Sequence, residues 1–272
     1  MNRFRPIPTL RLMTLAVILF GILPQLACRG QHPAPPARHA AQAFTQRSAA
    51  PTSGTPEPNP AAPIICIDPG HPSEVNNGLT VQNGATETHI DWVVAEKLKA
   101  ILTRQGYKVI MTKSSEKELV KNKERALIAN RARATLMVRL HCDSSSDKGY
   151  ALYYPDRQGT TQGKTGPTAD IMKRSKAVAQ ALDSSMAKAL DGTLKNGGVR
   201  GDSKTAVGGK QGALTGSIFS EVPVVTIEMV VLSNKGDAEF IKTEEGQQQM
   251  AEAIADGISH FAPIPAPIVS RR

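Results

Sequence analysis

From residue 64 onward the chain alternates between short apolar runs and longer stretches of helical period. IICI (64–67) is an apolar run of strand length. Residues 87–105 then place Ile90, Val93, Val94, Leu98, Ile101 and Leu102 on one helical face, and Gly106 stops them. YKVIMT (107–112) predicts a strand, residues 117–133 a helix with Leu119, Leu127 and Ile128 inward, and TLMVRL (135–140) a third strand. YALYY (150–154) adds a strand, residues 168–190 a long Ala-rich helix, VVTIEM (224–229) another strand, and residues 244–260 the last helix. Strands separated by helices predict an α/β fold: a single domain on a twisted, mostly parallel sheet with helices on both faces. Two stretches fall outside the pattern. Residues 155–167 are expected to be an exposed loop near the site. Gly197, Gly198, Gly201, Gly208 and Gly209 mark a flexible stretch over 196–212 that would border a substrate groove. The run GTTQGKT (159–165) looks like a phosphate-binding loop, but only three residues separate its glycines where four are required.

Before residue 64 the pattern differs. MNRFRPIPTLRL followed by LMTLAVILFGIL is a basic segment and a 12-residue apolar run, the anatomy of an export signal and short for a membrane span. It ends in PQLAC, so residues 1–27 are expected to be a signal peptide. Ala27-Cys28 resembles a bacterial lipoprotein processing site, where Cys28 would carry the lipid that tethers the protein to a membrane. Residues 28–63 are rich in Pro, Ala, Ser and Thr without an apolar face, which predicts a disordered linker. A catalytic domain over 64–262 and a tail over 263–272 complete the division. The expected location is the cell envelope or periplasm.

Charge changes this picture little. The net charge is +9, but three of these charges are Arg3, Arg5 and Arg11, and residues 28–63 carry two more, leaving four for the remainder. With 4% aromatic residues, that excludes a nucleic-acid binder as the leading class. Cys66 and Cys142 are expected to be buried free thiols; two cysteines are no disulfide framework.

In parallel sheets ligands collect beyond the carboxyl ends of the strands. His71 lies just past the first strand in Asp68-Pro69-Gly70-His71, His141 directly follows TLMVRL, and Glu228 lies near the end of VVTIEM. Two imidazoles and a carboxylate converging on one rim are the ingredients of a catalytic zinc site, which takes three protein ligands and leaves a position for water.

The chain over about 63–262 resembles the zinc-dependent N-acetylmuramoyl-L-alanine amidases of the bacterial cell-wall hydrolases (amidase type 3). The resemblance rests on D-P-G-H at 68–71, Glu87 opening the first helix eight residues before Ala95, and R-x-x-x-A-N from Arg125 to Asn130. It is completed by His141-Cys142-Asp143-Ser144 and by the strand from Pro223 to Asn234, with Glu228, Ser233 and Asn234 in register. It implies that His71, Glu87 and His141 ligate zinc, that Glu228 is the general base, and that peptidoglycan is the substrate. Glu74 and His89 compete with Glu87 as the second ligand. Asp68 would orient the loop or a ligand histidine, or cap the turn through backbone N–H groups. Arg125 and Asn130 would be structural, and Ser233 and Asn234 would shape the loop that holds Glu228. The chain departs from the family at Pro72, where Gly is usual, at Arg139, where a small residue is common, and at Asp143, where Asn is usual. The short segment after His141 leaves no room for an inserted inhibitory helix. The sequence names no activating partner. The rival readings are a related zinc hydrolase of another amide and a tethered wall-binding lipoprotein without catalysis.

Overall fold

The computed structural model describes residues 62–264. The expected signal peptide, nearly all of the linker, Cys28 and most of the tail lie outside the described residues. Among the described residues no helix is long and apolar enough to cross a membrane.

The chain order is β1 (Ile64–Pro69), α1 (Glu87–Arg104), β2 (Lys108–Met111), α2 (Asn122–Arg131), β3 (Leu136–Asp143), β4 (Tyr150–Tyr154), β5 (Gly159–Thr161), β6 (Lys164–Gly166), α3 (Ala169–Ala189), β7 (Asn196–Gly201), α4 (Gly208–Gln211), α5 (Thr215–Phe219), β8 (Val224–Val231), α6 (Lys235–Ile241) and α7 (Glu244–Phe261). Six strands form one sheet in the order β2-β1-β3-β8-β4-β7. Neighbours pair in parallel except β4 with β8. The mostly parallel α/β sheet is therefore present, with a single antiparallel pairing.

Strand alternation sends side chains to two cores. Ile65, Ile67, Leu136, Val138, Val225 and Ile227 meet the apolar faces of α1, α3 and α7, while Cys66, Met137 and Val224 meet Ala129 of α2 on the other side. Helix α1 buries Ile90, Val94, Leu98 and Ile101 at helical spacing and ends before Gly106, whose φ of +95° suits the left-handed residue after a helix. Thr168 and Thr243 cap α3 and α7 by accepting backbone N–H bonds from Ile171 and Gly246. Cys66 and Cys142 are buried free thiols in different cores.

Three expectations need correction. The second helix begins at Asn122, not 117, and Leu119 is 59% exposed. Ser114 instead donates from its backbone N–H and hydroxyl to the Glu118 carboxylate, which closes a loop, and the inward residues of α2 are Arg125, Ala126 and Ala129. Residues 155–167 are not an irregular loop: β5 and β6 form a hairpin packed on α5, so close that Cβ atoms at Gly159 and Gly166 would meet backbone near Ala213 and Ile218. That hairpin does not line the cavity. Residues 196–212 are largely ordered as β7, a 3-10 turn and α4, and Thr205 and Val207 from this stretch do border the cavity. Between β3 and α3 the described chain holds only strands and turns.

Candidate active site

The end of β1 explains why an apolar strand runs into Asp68. Asp68 is fully buried; its Oδ1 accepts from Arg125 Nη1 at 2.7 Å and from the Thr112 hydroxyl, and its Oδ2 accepts from Arg139 Nε at 2.8 Å. Burial alone would raise its pKa, but the two guanidinium groups outweigh it and hold the carboxyl well below the usual range. Among the described residues Asp68 accepts no hydrogen bond from a histidine or a turn N–H. It orients the loop indirectly, through Arg125, which donates to the carbonyls of Pro69 at 2.6 Å and Pro72 at 2.9 Å. Lys113 Nζ donates to the carbonyls of Gly70 and His71. Four successive carbonyls are thus held by buried cations, which fixes His71 in its left-handed conformation at φ +43°.

His71 Nδ1 lies 3.0 Å from the Asn76 carbonyl, which can only accept, so Nδ1 carries the proton. In the neutral ring Nε2 then presents a lone pair, yet it lies 3.1 Å from Glu87 Oε1. His141 Nδ1 lies 3.0 Å from that same oxygen. The two rings stand edge to face with centroids 5.1 Å apart, and the donor atoms of His71, Glu87 and His141 all fall within 4.8 Å of one another. A cation between these atoms would satisfy the facing lone pairs. The ligands of a tetrahedral zinc lie roughly 3.3 Å apart, so the donor set fits such an ion. Burial keeps His141 below its usual pKa against the pull of Glu87, favouring the neutral imidazole, the form able to bind a metal. Burial raises the Glu87 pKa, but bonds from His141 and His71 overcome it and bring the carboxyl to about 2.

Glu228 stands opposite His141 in the β3–β8 register and lines the same cavity of about 240 Å³ as His71, Glu87 and His141. Its Oε2 is sealed from solvent and has no hydrogen-bond partner among the described residues. Burial, then the charges of Glu87 and Asp143, push its pKa well above the ordinary range, which suits a group that carries a proton. His141 sits inside β3, two residues before its end, rather than beyond it.

The competitors for the second ligand lie elsewhere. Glu74 is exposed and accepts from the Asn122 N–H at 2.9 Å; His89 is exposed and pairs with Glu116 at 3.3 Å. Asn130 bridges α2 to the segment before β8, donating to the Phe219 carbonyl and accepting from the Glu221 N–H. Ser233 exchanges bonds with the Ser145 backbone, and Asn234 caps α6.

Sequence reasoning missed two buried groups. Asp91 is fully buried one turn after Glu87; its Oδ1 faces Cys142 Sγ at 3.6 Å, and its Oδ2 has no partner among the described residues. Burial, with Glu87 and Glu228 nearby, raises its pKa well above the ordinary range. An acid between Ile90 and Val94 on the apolar stripe of α1 was the available signal. Lys113 is 3% exposed and gave no signal, because nothing local marks a lysine that bonds to carbonyls 42 and 43 residues away.

Fold and cavity define an α/β enzyme with its reactive groups gathered at the carboxyl rim of the parallel strands. Residues 65–260 match the family described as N-acetylmuramoyl-L-alanine amidase. Among solved structures the chain is similar to the amidase AmiC2 of Nostoc punctiforme (24% identity, 73% of this chain and 96% of that one, TM-score 0.59). It is also similar to the catalytic domain of CwlV from Bacillus (Paenibacillus) polymyxa var. colistinus (23%, 75% and 99%, 0.59) and to Ami1 from Mycobacterium smegmatis (22%, 74% and 96%, 0.61). These likenesses concern the fold. No curated protein matches the chain. The chain belongs to the N-acetylmuramoyl-L-alanine amidase family, which hydrolyses the amide joining N-acetylmuramic acid to L-alanine in peptidoglycan.

Proposed function

We propose that the domain carries out this hydrolysis with a single zinc ion held by His71, Glu87 and His141, and with Glu228 as general base. The observation that carries the reading is one carboxylate oxygen, Glu87 Oε1, shared by two imidazole nitrogens 3.0 and 3.1 Å away, beside an unpartnered Glu228 oxygen in the same cavity. When bound, zinc would supply a Lewis acid and an acidified water. Glu228 takes the proton of the attacking water as the carbon–oxygen bond forms. It then delivers that proton to the nitrogen of L-alanine as the carbon–nitrogen bond breaks, and the second proton of the water passes to the released amine, leaving a lactyl carboxylate and an ammonium group. Asp68, Arg125 and Lys113 hold the loop that aims His71. No serine or cysteine nucleophile is needed: both described cysteines are buried, and burial raises the pKa of Cys66 and Cys142 far out of the nucleophilic range.

The reading extends to location. Export through residues 1–27, lipidation of Cys28 and a tether over 28–63 would place the domain over 64–262 within reach of the wall from a membrane anchor. The basic start, the apolar run and Ala27-Cys28 support this.

The test is incubation of purified protein with peptidoglycan sacculi, with zinc or with a chelator. Release of peptides with L-alanine amino termini from intact glycan strands, abolished by the chelator, is expected. Binding without release would favour a wall-binding lipoprotein, and cleavage elsewhere in the peptide would favour another amide hydrolase.

A further inference from the structure

Arg139 is 4% exposed yet lines the catalytic cavity. Its Nε donates to Asp68 at 2.8 Å and its Nη2 to Asn122 Oδ1 at 2.9 Å, while Nη1 has no partner among the described residues. Asp68 is its only ion-pair partner among them, and Arg125 shares that carboxylate, so two guanidinium groups divide one ion-pairing carboxylate; the charge of Arg139 also reaches Glu228, without an ion pair. A buried guanidinium that shares its counter-ion and keeps a free N–H group has donor capacity left for an incoming anion. Asp202 is near, but it accepts from the Leu214 N–H at 3.1 Å and from Ser217 and forms no ion pair with Arg139.

A second orphan donor lies beside it. Thr226 is the register partner of Arg139 on β8 and also lines the cavity; its hydroxyl is buried without a hydrogen-bond partner. Gly216 of α5 packs close to the guanidinium, since a Cβ there would sit 3.2 Å from Arg139 Cζ and 3.3 Å from Nη1.

We propose that Arg139 and Thr226 form an anion subsite that takes a carboxylate on the substrate residue next to L-alanine. The subsite rests on the amidase reading above. Its spacing agrees with the substrate: Arg139 and Thr226 each lie two residues before His141 and Glu228 on the same strand face, about 6.6 Å back along the sheet. A peptide spans up to ~3.6 Å per residue, so a carboxylate on the second residue of the leaving peptide lies about 7 Å from the scissile nitrogen. The Arg139 at this strand position thus becomes a specificity residue, bonding carboxylate oxygens through Nη1.

The test compares kcat/KM of the zinc-loaded full-length protein on two soluble substrates: N-acetylmuramoyl-L-alanyl-D-glutamate with its α-carboxylate free, and the same compound as the α-carboxamide. The free acid is expected to be cleaved about tenfold faster or more, chiefly through KM; tenfold corresponds to about 1.4 kcal/mol. Arg139→Gln should bring the ratio close to one, and Arg139→Lys should retain part of it. Equal kcat/KM for the two substrates in the unmutated protein would overturn the subsite without needing any variant. Survival of the preference in Arg139→Gln would overturn it as well, as would an equal loss of kcat on both substrates in that variant. Cleavage of neither substrate would instead overturn the amidase reading, and the subsite with it.

Discussion

Asp68→Asn isolates what holds the loop carrying His71 in place. The side chain keeps its shape and loses its charge. Two buried guanidinium groups, Arg125 at 2.7 Å and Arg139 at 2.8 Å, lose their common counter-ion, and the new amide turns N–H donors toward a guanidinium that also donates. Asp68 is wholly buried, so no water substitutes for it. Removing one partner of a buried ion pair costs about 3–5 kcal/mol. For a domain of this size each kcal/mol lowers Tm by about 2–4 °C, so the expected drop is roughly 6–20 °C. Thermal unfolding at pH 7, compared with the unmutated protein, measures the drop in Tm, and denaturant unfolding the loss in free energy. The pH dependence has a fixed sign. The folded pKa of Asp68 is depressed, so its contribution is present above the ordinary aspartate value of about 3.9 and is lost as pH falls below it. The gap between the two proteins should therefore close on acidification. A loss under about 1 kcal/mol at pH 7, or a gap that widens in acid, would refute the claim that Asp68 anchors the loop through its charge.

Further outcomes follow from the same geometry. Gly70→Ala places a Cβ 2.5 Å from Asp91 Oδ2 and 2.6 Å from His141 Cε1, so zinc affinity measured by chelator competition should fall roughly 10–100-fold. Lys113→Met frees the carbonyls of Gly70 and His71 and should weaken zinc binding by a similar roughly 10–100-fold factor; unchanged affinity would remove Lys113 from the support of His71. Glu228→Gln should raise the Tm of the metal-free protein at pH 7. Burial lifts the folded pKa of Glu228 above its unfolded value, so its ionised form opposes folding once pH exceeds that unfolded value, and a neutral amide removes the opposition.

Much of this was legible in the sequence, for identifiable reasons. Strands such as IICI and TLMVRL are buried on both faces and read as continuous apolar runs. Helix α1 announced itself through Ile90, Val94, Leu98 and Ile101. The ends of β1, β3 and β8 then fixed where His71, His141 and Glu228 converge. What failed was governed by long-range polar contacts. Helical periodicity alone did not turn Arg125 inward on α2, where Asp68, 57 residues earlier, receives it; its structural role was expected only from the family motif. Leu119 was assigned inward for the converse reason: its apolarity said nothing about the Ser114–Glu118 turn that carries it to the surface. Arg139 was visible as a departure from the family, but its meaning depends on Thr226 and Asp68, which only strand register brings beside it.

The central claim is that three side chains hold zinc while a fourth moves the proton, and Glu228→Gln divides these roles. Metal content and sacculus hydrolysis measured on the same preparation of this variant should give a single zinc per chain and no turnover. Retained turnover, or zinc lost together with Glu228, would contradict the account.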